Sequence, residues 1–141
     1  MTLKFPSKEW TDAFATAVND NPAYQKHGKP WTFGAVAMVV RKDPALGIDT
    51  EAAMVLDVHE GSCRGATYGG AEITAGAPFV IYADYDRWRD VIEGRLDPIK
   101  GMMEGKLKLT VGHLPTMIRF VESSRALVKS AEVIPTEFLS R

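Results

Sequence analysis

Cysteine is nearly absent: Cys63 is the single one in 141 residues. One thiol can build neither an internal disulfide framework nor a multi-cysteine zinc knuckle, so the core alone must hold the fold. An excess of one charge is missing too. Seventeen basic against eighteen acidic side chains give a formal charge of −1, without the concentrated basic face that nucleic-acid binding needs. No apolar run approaches the roughly 18 to 20 residues of a membrane span. The start, Met1-Thr2-Leu3-Lys4-Phe5-Pro6, lacks the apolar stretch of a secretory signal. The ending Phe138-Leu139-Ser140-Arg141 is not the Ser-Lys-Leu address of peroxisomes. A soluble protein of a reducing cytoplasm is the resulting expectation. Gly61, Gly65, Gly69 and Gly70 form neither a dinucleotide fingerprint nor a phosphate loop, so no cofactor is implied.

What is present is an ordinary globular composition. Hydrophobic residues make up 45% and charged residues 25%, which excludes disorder. The length suits one domain over residues 1–141, exposing roughly 7,200 Å² when folded. Trp10, Ala13, Phe14, Ala17 and Val18 recur at helical spacing from Ser7, a plausible cap, to Asn19, and Asn21-Pro22 ends that helix. A short helical turn is expected at Pro22 to Lys26. From Trp31 to Val40 the chain turns aromatic, β-branched and apolar on both alternating sets, as in a central strand covered on both faces. Ala52 to His59 alternates as a second strand, joined by a hairpin at Glu60-Gly61-Ser62 to a third, Cys63 to Tyr68. Pro78 to Ala83 gives a fourth. Asp84 is expected to cap a helix reaching Glu93, and Asp97-Pro98 to start a short one ending at Gly105. Lys106 to Val111 alternates as a fifth strand, with Leu107, Leu109 and Val111 inward. One last helix is expected from Pro115 to Ala131, carrying Met117, Ile118, Val121 and Val128 on its apolar stripe. The order predicts an α+β fold with helices on a mostly antiparallel sheet.

Catalysis by side chains needs a nucleophile or base with an orienting partner. The best set is Asp57, His59 and Cys63 around the second hairpin, drawn as a relay or a mixed-ligand metal site. Polar side chains two apart near a strand end usually mark a solvated face, and cysteine is commonly a small buried hydrophobe. The bland reading is therefore preferred. His27 and His113 have no partner at ligand spacing. The more distinctive supply is apolar: Met102, Met103, Leu114, Met117, Ile118 and Val121 gather flexible side chains near the C-terminus, a composition that suits varied apolar ligands as well as a plain core.

Ile92-Glu93-Gly94-Arg95-Leu96-Asp97-Pro98, followed by Gly101-Met102-Met103-Glu104-Gly105-Lys106-Leu107-Lys108-Leu109, resembles the signature of the sterol carrier protein type 2 family. The specific part is about twenty residues, and the order of elements agrees over nearly the whole chain. The resemblance implies a five-stranded sheet with helices on one face enclosing an apolar tunnel. It implies non-catalytic binding, and transport, of a fatty acid, acyl-coenzyme A or sterol-like lipid. Carried over by position, the lipid-binding wall comprises Ile99, Met102, Met103, Met117, Ile118 and Val121, with Trp88 and Phe33 beside them. His113 and Arg119 are candidates for the tunnel mouth. No metal and no nucleic-acid partner are implied, and membrane contact is at most transient. The absent peroxisomal ending points to a stand-alone, bacterial-type relative. The segment Gly112-His113-Leu114-Pro115 departs from the family's usual small-residue helix, so the last helix could plug the tunnel.

Burying sixteen methylenes gains about 13 kcal/mol gross, against about 4 to 15 kcal/mol for immobilising the ligand. Useful affinity therefore needs no polar motif. Two other readings stay open. One is an enzyme, or enzyme subunit, acting on a small lipid-like substrate through Cys63, His59 and Asp57. The other is a closed structural domain, filled by its own side chains and dimerising as a homodimer through an exposed sheet face.

Overall fold

The computed structural model describes residues 1–140. A strand of two residues, β1 (Leu3–Lys4), opens the chain. Helix α1 (Lys8–Asn19) begins where extended Ser7 accepts the Trp10 amide at 3.0 Å, satisfying one of the free first-turn donors. It buries Trp10, Phe14, Ala17 and Val18, the stripe its spacing predicts. Helix α2 (Pro22–His27) follows at once, with the Asn21 carboxamide oxygen capping the Ala23 amide.

Five strands then build the main sheet: β2 (Val36–Val40), β3 (Ala52–His59), β4 (Ser62–Gly69), β5 (Phe79–Ala83) and β6 (Lys108–Val111). Their spatial order is β4-β3-β2-β5-β6. Only the central pair β2–β5 runs parallel, and the other three pairings are antiparallel. Strand period sorts β2 between two cores. Val36, Met38 and Val40 join Met54, Leu56 and Ile81 beneath the helices, whereas Ala37 and Val39 join Ala53 and Val80 on the far face. Ile73 and Ala77 cover that far face from the loop between β4 and β5. The apolar centre of the far face is thus buried within the chain.

The helix-bearing face carries α1 and α3 (Tyr85–Ile92), then α4 (Pro98–Met103), α5 (Leu114–Arg119) and α6 (Val121–Lys129). The chain ends in β7 (Thr136–Glu137), which pairs in parallel with β1. Tyr85 anchors this terminal ribbon: its hydroxyl donates to the Phe5 carbonyl at 3.1 Å and accepts the Leu139 amide at 2.8 Å. The accessible surface is 7097 Å², close to the roughly 7,200 Å² that size scaling gives.

Four expectations need correction. The first central strand starts at Val36 rather than Trp31, because Gly34 turns the chain at φ +100° and the Trp31 indole N–H closes on the Gly34 carbonyl at 2.9 Å. Val111 is 47% exposed, not inward. A bulge between Val80 and Ile81 pairs Leu109 with Ile81 but Val111 with Val80, and Val80 faces the far side. The last helix is two helices, broken at Phe120 (φ −106°, ψ 40°), whose ring packs against Trp31 and Phe33. Asp84 occupies the cap position of α3 without a side-chain cap bond; its carboxylate stands 3.5 Å from Arg41.

Candidate functional site

An apolar cavity of about 30 Å³ lies between the sheet and the helices above it. Val36, Met38, Val58 and Ile81 form its floor, one alternating face of three strands. Met117 of α5 and Leu127 and Val128 of α6 form the roof. Trp88, Met102 and Leu107 stand at the sides. A void of about 10 Å³ toward α1 shares Met38, Trp88 and Val128 with it. Together these spaces hold about a water's worth of room, far below the ~300 Å³ where ligand pockets begin. The side chains that fill the gap include three methionines, Met38, Met102 and Met117. Each is unbranched and adaptable.

The polar groups in this lining are few. The Trp88 indole N–H donates to the Val39 carbonyl at 2.8 Å and Trp31 to Gly34, so both are committed. Tyr24 is 1% exposed, and loss of water pushes its hydroxyl up to about 12, partly offset by a hydrogen bond from Ser123. Ser124 completes the polar corner.

The roof has unequal ties. Asp97 caps α4 by accepting the Lys100 amide at 2.9 Å, and its other oxygen accepts from Arg125 Nε of α6 at 2.7 Å. Burial works to raise this carboxyl's pKa, but Arg125 and the Lys100 amide outweigh it and hold the group below the ordinary 3.8. α5 has no side-chain cap bond.

The residues singled out as a lipid wall separate into groups. Trp88, Met102 and Met117 line the cavity. Ile99 is buried in the same core, and Val121 is half-buried against it. Phe33, Met103 and Ile118 are exposed at 41%, 63% and 40%. Phe33 and Phe120 pack with ring centroids 5.3 Å apart. His113 is exposed at the head of α5, and the Arg119 guanidinium lies 5.4 Å from the Phe120 ring. Sequence reasoning missed Tyr24 and Ser123, because neither a lone tyrosine in a two-turn helix nor a serine in a helix interior signals a cavity.

The hairpin candidates do not assemble into a relay. Cys63 is buried facing the core, its thiol donating to the Gly65 carbonyl at 3.2 Å, and burial pushes its pKa up, away from thiolate. Asp57 pairs with Arg64 at 3.1 Å, and His59 stands 3.6 Å from Glu60. Asn19 clamps the Cys63 backbone, accepting its amide at 2.7 Å and donating to its carbonyl at 2.9 Å. Among the described residues, no group of three or more His, Cys, Asp or Glu side chains could hold a metal ion.

Sheet and one-sided helical layer together define an α+β domain with a small apolar cavity between its layers. Among solved structures, a crystal structure of sterol carrier protein 2 is 37% identical, covers 91% of this chain and 97% of its own, and superposes at TM-score 0.84. A conserved hypothetical protein from Thermus thermophilus, a candidate sterol carrier protein, is 36% identical over 93% of this chain and 90% of its own, at TM-score 0.85. Sterol carrier protein 2 from Yarrowia lipolytica, in its apo form, shares the fold at TM-score 0.54 with 16% identity, covering 87% of this chain and 89% of its own. No protein-family model and no curated protein sequence matches. The chain belongs to the sterol carrier protein 2 family. Members of that family are in general non-catalytic lipid-binding proteins, and a chain without catalytic activity is consistent with that.

Proposed function

We propose that this protein reversibly binds, and hands on, a lipid whose apolar part enters the space between the sheet and α5–α6. The observation that carries the reading is the cavity lining: apolar floor, walls and roof, with three methionines where the space must grow. Methionine re-packs around an incoming chain at little cost. Opening from about 30 Å³ to the ~300 Å³ of a ligand pocket requires part of the roof to move. α6 is tied to α4 through Arg125 and Asp97, so α5, six residues long, is the part that lifts and carries Met117 out of the cavity. Exposed Ile118 of α5, with exposed Phe33 packed on Phe120 beside it, supplies the apolar contact for brief docking on a donor membrane. A stand-alone bacterial-type carrier acting in the cytoplasm fits this reading.

The small cavity also favours a second reading, a closed domain filled by its own side chains. Titration with a fluorescent fatty-acid analogue separates the two, competed by palmitate, palmitoyl-coenzyme A and a sterol. Saturable, competable binding at one site per chain is the expected result. No binding up to about 100 μM, a free energy of only about −5.5 kcal/mol, would leave the closed domain.

A further inference from the structure

The main sheet ends in two different edges. At β4 the Asn19 carboxamide takes up both the amide and the carbonyl of Cys63, at 2.7 and 2.9 Å, in the place of a neighbouring strand. β6 has no such cover. It lies last in the sheet, pairs with β5 on one side, and has no helix along the other. Among the described residues no side chain bonds to its backbone. Lys108, Thr110 and Val111 are all exposed. The outward amides and carbonyls of β6 are thus a template for one more strand.

Charge narrows what that strand can be. Of the chain's seventeen basic and eighteen acidic side chains, four and one lie between Pro98 and Phe120: Lys100, Lys106, Lys108 and Arg119 against Glu104. Glu104 is taken by Lys106 at 3.2 Å, and among the described residues Lys108 has no carboxylate partner. A second copy would bring the same cations to the edge, and lysine on an edge strand guards against such self-pairing. A lipid surface could answer the charge but not the row of backbone donors and acceptors. An extended acidic segment answers both. Directly paired residues share a face of the sheet. The register with β5 therefore puts Lys108 beside Tyr82 and Val111 beside Val80 on the far face, and Leu109 beside Ile81 on the helix side. An incoming strand meets a cation on one face and an aliphatic side chain on each.

We infer that the β6 edge takes up an extended, acidic segment of a partner protein, which adds a sixth strand to the sheet. Nothing in this depends on the cavity or on what occupies it.

The test is a nuclear magnetic resonance titration of the full-length protein with an acetylated octapeptide alternating Glu and Val, and with its Lys and Val counterpart. Saturable shifts of the β6 amides by the acidic peptide are expected below about 1 mM, the weak affinity of a single strand. The basic peptide should have little effect. Lys108→Glu should weaken the acidic peptide about 3- to 10-fold. In wild type, N-methylation of one alternate set of the peptide's amides should abolish binding, a loss that charge attraction alone would not show. No saturable shift in β6, an equal response to both peptides, or binding that survives methylation of each set in turn overturns the inference. So does a β6 that responds to phosphatidylglycerol vesicles but not to the acidic peptide, or one whose amides are protected by self-association without peptide.

Discussion

Asp97 does two jobs with one carboxylate, capping α4 and holding Arg125 of α6. Asp97→Ala is expected to cost about 1 to 2 kcal/mol, most of it from the cap, because the half-exposed ion pair adds little. The carboxyl's pKa is lowered on folding, so its contribution is full above the ordinary 3.8 and fades as pH falls through the lower folded value. Urea midpoints of wild type and Asp97→Ala should differ at pH 7 and converge in acid. Tyr24 behaves in the opposite sense. Its folded pKa of about 12 lies above the ordinary 10.0, so stability is intact below pH 10 and is lost as pH rises through the folded value. Urea midpoints measured between pH 8 and 12 should fall less steeply for Tyr24→Phe. Part of the decline should remain, because burial also raises Tyr68 and Tyr85.

At the scale of elements, the break at Phe120 matters most. A continuous helix would carry Met117, Ile118 and Val121 on one apolar stripe. In the broken one, Met117 alone of the three is buried, at 3% exposure, and Ser123, Ala126 and Leu127 form the buried side of α6. Met117→Ala should therefore destabilise by about 2 to 5 kcal/mol, and Ile118→Asp by no more than about 0.5 kcal/mol, both read from chemical denaturation. Equal costs would mean that the break does not exist in solution. Gly112 belongs to the same region: it sits at φ +112°, and a Cβ there would meet the Phe79 ring at 2.5 Å. Gly112 thus has a steric reason, a close pass over β5.

The whole molecule joins a sheet whose central strands are buried on both faces to a roof of short helices with unequal ties. Local stability follows that difference. Hydrogen exchange should be slowest in β2, β3 and β5 and fast in α5, and a bound lipid should slow α5 more than the sheet. At a hundredfold excess over its dissociation constant a ligand adds about 2.7 kcal/mol, a rise in Tm of about 10 °C. Uniform exchange across sheet and roof, or an unmoved Tm at saturating lipid, would count against a roof that opens. The terminal ribbon adds a long-range staple, because Trp10 Nε1–H donates to Thr136 Oγ1 at 3.0 Å across the ends of the chain.

The α+β architecture was legible in the sequence because its carriers are local. Strand β3 alternates from Met54 to His59, Ser7 and Asp97 cap the helices they precede, and Gly94 and Gly105 stop theirs in left-handed backbone. The family signature was legible for the same reason, lying in one stretch from Ile92 to Leu109. Long-range packing decided the rest. The far-face placement of Val111 depends on a bulge, visible only when β6 is laid on β5. The break at Phe120 depends on Trp31 and Phe33, some ninety positions earlier in the chain. Two-residue strands β1 and β7 are too short to show a period, and they pair only because the fold brings the termini together. The polar corner needs α2 and α6 side by side before Tyr24 can meet Ser123. Periodicity and caps are properties of neighbouring residues, whereas a cavity is a property of surfaces that meet only after folding.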